Sequence, residues 1–167
     1  MRALSKMSVM FTAVLASLGS AAADSSVKWD DITGIIQPGN QVGSGTGRIT
    51  GAGQPWTTQS GKAQVDLRTG RLKFTVKGLV LAGGNSIGTP DGINMVKGTL
   101  VCDTNGSAGG GNSALVDTDL VPLSPQGAAD FSGDVALAAS CQTEADIAFL
   151  IRTSGGAWIA NGSVRTP

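Results

Sequence analysis

Residues 62–77 have the sequence KAQVDLRTGRLKFTVK, and this stretch decides the fold of the chain. On both sides of the turn residues Thr69 and Gly70, apolar and polar side chains alternate one by one. A period of two with β-branched and aromatic members is typical of strands that bury one face and leave the other in water. The stretch therefore predicts an antiparallel hairpin, with the buried positions Ala63, Val65, Leu67, Leu72, Phe74 and Val76.

The same alternation recurs more weakly along the rest of the chain. It predicts a second hairpin over 147–164, with Ser154, Gly155 and Gly156 as its connection. No stretch has a sustained helical period, so only a single helical turn is expected, around 142–145. The residues just after position 23 are expected to be frayed. Further strand candidates are 31–36, 47–51, 79–82, 93–102, 115–120 and 128–135.

Glycine occupies 25 of the 167 positions and separates these alternating stretches. Many short strands with Gly-rich turns are typical of an antiparallel sandwich or a small barrel. We expect an all-β antiparallel β-sandwich of about eight short strands, with a small β-barrel as the alternative. Residues 104–113, rich in Gly and Asn, are expected to form the longest flexible loop.

The first 23 residues have the three parts of an export signal. A basic start with Arg2 and Lys6 precedes an apolar run over 7–18 and small residues at 21–23. The alternative, a retained membrane anchor, requires about 20 apolar residues, which is more than this run contains. We expect 1–23 to be a cleaved signal peptide. Residues 24–167 are then a single exported all-β domain, secreted, periplasmic or at the cell surface, without stable membrane insertion.

The charge balance shifts when the leader is removed. The full chain has 12 basic and 12 acidic residues, and Arg2 and Lys6 are lost with the leader. The remaining chain has a net charge of −2. A nucleic-acid-binding protein is expected to show a basic face or stripe instead, so no nucleic-acid partner is predicted.

Cys102 and Cys141 are the two cysteines of the chain. In an exported protein an isolated pair most often forms a disulfide. Closing a loop of about 40 residues stabilises the fold by about 4 kcal/mol in the chain-entropy model. Two free, buried thiols are the alternative. We predict the disulfide.

One stretch matches a catalytic motif. Residues 84–88, GNSIG, have the Gly-x-Ser-x-Gly pattern of a nucleophile elbow around Ser86. The chain contains no histidine to act as the base, and another turn follows the motif where a helix is required. Carboxylate catalysis needs two suitably spaced acids, yet Glu144 is the only glutamate and the aspartates fall mostly at turn or outward positions. No catalytic residue is therefore predicted.

Metal and cofactor sites are not predicted either. Zinc and copper sites generally use imidazole or several thiolates, and this chain has no histidine. Residues 103–107 and 117–119 offer oxygen ligands for calcium, but neither stretch has EF-hand spacing. Asx turns explain both stretches at least as well, so calcium binding is left open.

Three tryptophans follow the leader: Trp29, Trp56 and Trp158. Trp56 lies after Pro55 among glycines and polar residues, so it is the best candidate of the three to be partly exposed. It is the candidate ligand contact, as a stacking platform for a sugar or a partner. The alternative is that Trp56 closes one end of the sandwich. Trp158 is expected in the core and Trp29 over a sheet edge.

The pattern over residues 61–79 is similar to that of a known family. It is Gly61-x-Ala63-x-Val65-Asp66-x-x-x-Gly70-x-Leu72-x-Phe74-x-Val76-x-Gly78-Leu79. This pattern resembles the hairpin of chordin-repeat-type domains, which are secreted β-rich modules. Members typically carry an Ala-His-Ile-His-like segment soon after the Gly-Leu pair, and this chain has no histidine there. The resemblance implies a secreted β-rich module, and no role of those histidines is carried over.

Two functions from different classes remain. The first is an exported, non-enzymatic module that serves as a structural or protein-interaction component of the cell envelope or secretome. The alternative is a module that binds carbohydrate or another small ligand, with Trp56 as the contact. A hydrolase is a remote third. The expected partner is an unidentified protein or glycan.

Overall fold

The computed structural model describes residues 25–108, 110–143 and 146–166, and the predicted leader lies outside these ranges. The described residues form thirteen β-strands and one short α-helix. In chain order they are β1 (Ser26–Gly34), β2 (Gln41–Val42), β3 (Ile49–Thr50), β4 (Trp56–Thr57), β5 (Ser60–Asp66), β6 (Arg71–Lys77), β7 (Val80–Leu81), β8 (Met95–Cys102), β9 (Ala114–Asp117), β10 (Val121–Pro122), β11 (Ala129–Asp134), α1 (Ala139–Thr143), β12 (Ile147–Thr153) and β13 (Trp158–Thr166).

The predicted hairpin over 62–77 is confirmed as β5 and β6. Val65 pairs with Leu72 and Ala63 pairs with Phe74, and all four residues are buried. Gly70 adopts a φ of +78° at the turn, a conformation that glycine reaches without steric cost. The two-residue period thus places one face of the hairpin in the core and the other in solvent.

The C-terminal hairpin is also confirmed, as β12 and β13. Leu150 pairs with Asn161 and Ile151 with Ala160. The register shifts between Ile151 and Arg152, so Arg152 pairs with Trp158. Such an irregularity bends the strand locally and increases its twist.

Nine antiparallel strands form the main sheet, in the order β10-β8-β12-β13-β1-β5-β6-β11, with β9 also paired to β8. The sheet curls strongly, since the ring centroids of Phe74 on β6 and Phe149 on β12 lie 5.6 Å apart although three strands separate these two. Gly98 permits this approach, because a Cβ there would lie 2.9 Å from a ring carbon of Phe74. The edge strands β10 and β11 have Cα atoms within 8 Å of each other. The sheet therefore resembles half a barrel around an aromatic core.

The prediction of an all-β antiparallel fold is confirmed, and the architecture combines features of a sandwich and of a barrel. β8 is buried on both faces from Gly98 to Cys102. On the side away from the aromatic core, residues 43–51 cover the sheet: a Cβ on Gly43 would lie 3.2 Å from Val101 Cγ1. The short pairs β2–β3 and β4–β7 lie outside the main sheet. This second layer leaves the outward side of β1, β5 and β6 open to solvent.

Two expectations about the N-terminal segment are wrong. β1 begins at Ser26 and pairs on one side with β5 and on the other with β13, so this segment is not frayed. Trp29 does not cover a sheet edge, because β1 is an interior strand of the sheet. Val27 and Trp29 are buried and anchor the strand. The burial of these two side chains offsets the conformational entropy lost on ordering the segment.

The predicted disulfide between Cys102 and Cys141 is confirmed. It joins the end of β8 to α1, with the two Cα atoms 5.0 Å apart. The helical turn expected around 142–145 is found slightly earlier, and residues 144–145 lie outside the described ranges. In the parts of the chain that the structure describes, no helix has the length and apolar character needed to cross a membrane.

Candidate functional site

The outward side of β1, β5 and β6 gathers half of the ten basic residues that follow the predicted leader. The strand register aligns Lys28 with Gln64 and Gln64 with Lys73. Lys28 and Lys73 therefore lie in one cross-strand row, with Cα atoms about 10 Å apart. The basic residues of this side are Lys28, Lys62, Arg71, Lys73 and Lys77.

A shallow depression of about 240 Å³ lies among these side chains. We call it the lysine depression. It lies over the buried cross-strand row of Trp29, Ala63 and Phe74. Three lysines against one aspartate give its outward lining a net charge of +2, although residues 24–167 are slightly acidic. The outward lining consists of Lys28, Asp30, Lys62, Gln64, Lys73 and Thr75.

Among the described residues, none of the three lysines of the depression forms an ion pair. Arg71, Lys97 and Arg152 are cations that do form ion pairs. Lys62 and Lys73 are exposed and Lys28 is half-buried. Uncompensated cations that converge on a concave surface raise the local positive potential and attract anions.

Hydrogen-bond acceptors lie between the lysines. Gln64 donates from Nε2 to Ser26 Oγ at 3.1 Å, which orients its carbonyl oxygen as an acceptor. Asp30 accepts a hydrogen bond from Thr166 Oγ1 at 3.3 Å through one carboxylate oxygen, and the other oxygen is a further acceptor. The hydroxyl of Thr75 can both donate and accept. The lining therefore offers ammonium donors and neutral or acidic acceptors side by side.

The hairpin turn beside the depression holds β1 in place. Asp66 Oδ1 accepts hydrogen bonds from the backbone N–H of Arg68 at 2.8 Å and of Thr69 at 3.2 Å, and from Ser25 Oγ at 3.1 Å. The bond from the Arg68 N–H is the largest influence on the pKa of Asp66, which lies below its ordinary value of 3.8. Because Ser25 immediately precedes β1, these bonds tie the strand that carries Lys28 to the hairpin that carries the other two lysines.

A second group of charges lies on β8, β9 and β12. The carboxylate of Asp117 accepts a hydrogen bond from Lys97 Nζ, another from Thr99 Oγ1 at 2.6 Å, and a third from Arg152 Nη1 at 3.2 Å. Partial burial alone would raise the pKa of Asp117, but the bond from Lys97 and the other partners outweigh it and hold the pKa below its ordinary 3.8. Both cations of this group therefore share one carboxylate partner within the fold.

Trp56 is buried, with only 5% of its surface exposed, so partial exposure, one of the two alternatives for this residue, is wrong. It lies on β4, which pairs with β7, and its backbone N–H donates to Ile35 O at 2.8 Å. This pairing places the ring in the core with little area left for a sugar to stack on. Its role as a ligand contact stays a prediction. Trp158 is buried as expected, and its Nε1 donates to Asn40 O at 3.0 Å.

Ser86 of the Gly-x-Ser-x-Gly stretch lies in a series of turns between β7 and β8. Its Oγ donates to Asp91 Oδ1 at 2.7 Å, and the Gly88 N–H donates to Leu81 O at 2.9 Å. The next element of the described chain is a strand, whereas a nucleophile elbow leads into a helix. The geometry around Ser86 is that of a turn.

The acidic loop that begins at Asp103 uses its oxygens internally. Asp103 is buried, and its carboxylate accepts hydrogen bonds from the Ala108 N–H at 3.1 Å and from Ser107 Oγ at 3.4 Å. Its carbonyl accepts from Ser113 Oγ at 2.7 Å. Within the described ranges, no cluster of three or more His, Cys, Asp or Glu side chains is placed to hold a metal ion.

The sequence patterns do not reveal the lysine depression, although they contain part of the signal. Lys62 and Lys73 fall on the predicted solvent face of the hairpin. Lys28 lies in the segment expected to be frayed, so it is not connected to the other two. Alternation around Val27 and Trp29 is the signal that could place Lys28 on the outward face. The low net charge of the chain gives no sign of the depression either, because a sum of charges does not show where the charges lie.

Comparison of the chain with protein-family models, with curated proteins and with solved structures found no match. The resemblance of residues 61–79 to chordin-repeat-type domains therefore stays a prediction.

Proposed function

We propose that this protein is an exported, non-enzymatic binding module of the cell envelope or secretome that holds an anionic partner at the lysine depression. The observation that carries the proposal is the convergence of Lys28, Lys62 and Lys73 on one open depression, with no ion-pair partner among the described residues. Like charges gathered in this way repel one another and favour the approach of an anion. A bound anion compensates them.

Export is supported by two independent features. The disulfide between Cys102 and Cys141 belongs to a class of bond that persists in oxidising compartments such as the periplasm or the medium. The leader pattern over 1–23 agrees with this location. A module that works outside the cytoplasm meets the anionic polymers of envelopes and secreted matrices.

Binding of dextran sulfate to the purified protein tests the proposal. The variant Lys28→Gln/Lys73→Gln removes both lysines of the central row of the depression. Its matched control, Arg48→Gln/Arg68→Gln, removes the same charge from exposed positions outside the depression. Calorimetric titration at low salt is expected to show binding weakened at least about tenfold in the lysine variant and less than about twofold in the control.

Equal losses in the two variants would mean that only overall charge matters, and would overturn the depression as the binding site. The absence of binding by the unmodified protein would overturn it too. Thermal unfolding of each variant shows whether the substitutions leave the fold intact. The loss of affinity is expected to shrink as salt is raised, because surface charges are then screened.

A further inference from the structure

We infer that the anionic partner is an acidic polysaccharide whose sugars carry both carboxylates and free hydroxyl groups; this rests on the proposed function. The lining of the depression mixes charges of both signs. Lys62 pairs with Thr75 on β6, and Asp30 of β1 lines the same depression. A ligand that carries anionic groups alone meets the Asp30 carboxylate as a repulsive charge. A sugar hydroxyl instead donates a hydrogen bond to it.

The depression differs from the surfaces that folded protein partners use. The cores of protein interfaces are enriched in aromatic residues and arginine and depleted in lysine. Here the cations of the lining are all lysines. The nearest aromatic rings, Trp29 and Phe74, are buried beneath the depression with 2% and 1% exposure. An acidic folded protein would find no aromatic anchor at this site.

An anionic lipid surface fits this side of the sheet less well than a polysaccharide. Surfaces that bind membranes generally combine basic residues with apolar side chains that enter the lipid. The outward side of β1, β5 and β6 is polar or charged at the positions between the buried ones. The exposed large apolar side chains of the described residues all belong to other segments: Ile36, Ile87, Leu115, Leu120 and Val164.

The cationic side is longer than the depression itself. Lys77 follows Lys73 by four residues on β6, which places their Cα atoms about 13 Å apart. Lys77 is exposed and pairs with Ser60 of β5, so it extends the cationic side toward the end of the hairpin. A polymer that crosses the depression can reach this further lysine, whereas a single sugar cannot.

Four probes separate the chemical classes in a calorimetric titration with the purified protein. Polygalacturonate carries carboxylates and hydroxyls, poly-L-glutamate carries carboxylates alone, and dextran carries hydroxyls alone. Vesicles of phosphatidylglycerol represent an anionic lipid surface. Polygalacturonate is expected to bind at least about tenfold more tightly than poly-L-glutamate or the vesicles, and dextran is expected not to bind measurably.

Equal or tighter binding of poly-L-glutamate would overturn the polysaccharide inference and leave the proposed function intact. Tighter binding of the vesicles would overturn it in favour of a lipid partner. If dextran sulfate and all three anionic probes fail to bind, the proposed function falls together with the inference. These outcomes distinguish failure of the ligand class from failure of the site.

A pair of acidic positions sharpens the test. Asp30→Ala removes the acceptor within the lining, and Asp130→Ala removes the same charge from the exposed strand β11 that borders it. Asp30→Ala is expected to weaken polygalacturonate binding about threefold, because the sugar hydroxyls lose the carboxylate that accepts their hydrogen bonds. It is expected to strengthen poly-L-glutamate binding, because that carboxylate no longer repels the glutamate side chains. Asp130→Ala is expected to leave the ratio of the two affinities unchanged. An unchanged ratio in Asp30→Ala, with the fold intact by thermal unfolding, would overturn the inference.

Discussion

Two outward surfaces of the same curled sheet differ in whether their cations are paired with a carboxylate. On β8, β9 and β12, Lys97 and Arg152 converge on the carboxylate of Asp117, and Thr99 donates a further hydrogen bond to it. On β1, β5 and β6, Lys28 and Lys73 converge on an open depression that Asp30 also lines, and neither lysine forms an ion pair among the described residues. The first surface therefore uses its charges to stabilise the fold, whereas the second keeps them available.

Partial burial explains part of this difference. The side chains of Lys97 and Arg152 are only 21% and 13% exposed. A partly buried charge needs a partner, because its lost hydration has to be replaced. The lysines of the depression lie on an uncovered side, where water can solvate them until a ligand arrives.

The largest expected effect of a substitution is at the disulfide of the β8 side. Cys102→Ala/Cys141→Ala opens a loop closed across a sequence separation of 39 residues, and the chain-entropy model assigns such a loop about 4 kcal/mol. Urea unfolding is expected to show a loss of roughly that size in the free energy of unfolding. Dextran sulfate binding by the folded variant is expected to change less than about twofold. If this variant also loses dextran sulfate binding, the binding surface depends on the disulfide, and the two surfaces do not act independently.

A smaller loss of stability is expected when Asp117 is replaced. Asp117→Ala leaves Lys97 and Arg152 without their partner and removes the acceptor of the buried Thr99 hydroxyl. Because the Asp117 side chain is 35% exposed, solvent screening reduces the cost to about 1–2 kcal/mol. Asp134→Ala is the control, since its pair with Arg71 is exposed on both sides, and a change within about 0.5 kcal/mol is expected. Equal effects of the two substitutions in urea unfolding would contradict a structural role for Asp117.

The pH dependence of stability sharpens the same contrast. The pKa values of Asp66 and Asp117 lie below the ordinary 3.8 in the folded protein. A lowered pKa contributes stability above the unfolded value, and this contribution is lost as the pH falls through the folded value. The free energy of unfolding is therefore expected to fall below roughly pH 4. The fall is expected to be shallower in Asp117→Ala, and an identical fall in that variant would show that this carboxylate does not contribute.

The smallest expected change in stability comes from the lysine depression itself. Lys28→Gln/Lys73→Gln removes two charges that have no ion-pair partner in the described residues. The free energy of unfolding is expected to stay within about 0.5 kcal/mol of the unmodified protein, or to rise slightly as repulsion is relieved. Urea unfolding measures this directly. A loss above about 1 kcal/mol would mean that these lysines stabilise the fold.

Local alternation was sufficient to predict both hairpins, because strands joined by a short turn pair with their own neighbours in the chain. It was not sufficient for Trp56. That residue lies on a two-residue strand, too short to show a period, and its burial depends on pairing with β7 about 25 residues later. The disulfide was predictable since an exported chain with two cysteines has one available pairing.

The candidate site shows the same division between local and long-range information. The outward positions of Lys62 and Lys73 follow from the hairpin pattern. Their meeting with Lys28 does not, since β1 reaches the hairpin only through pairing between residues 26–29 and 63–66. The pattern likewise did not predict that Asp117 would meet Lys97 and Arg152, which are separated from it by 20 and 35 residues.

The sequence alone determined that the protein is built from antiparallel strands, which side chains of its hairpins face inward, and that its two cysteines pair. These properties follow from the two-residue period of a strand and from the burial of apolar surface. Only the tertiary structure decided which charges meet a partner and which remain free. The period of a strand assigns each side chain to a face, whereas strand order, register and the covering layer determine its neighbours on that face.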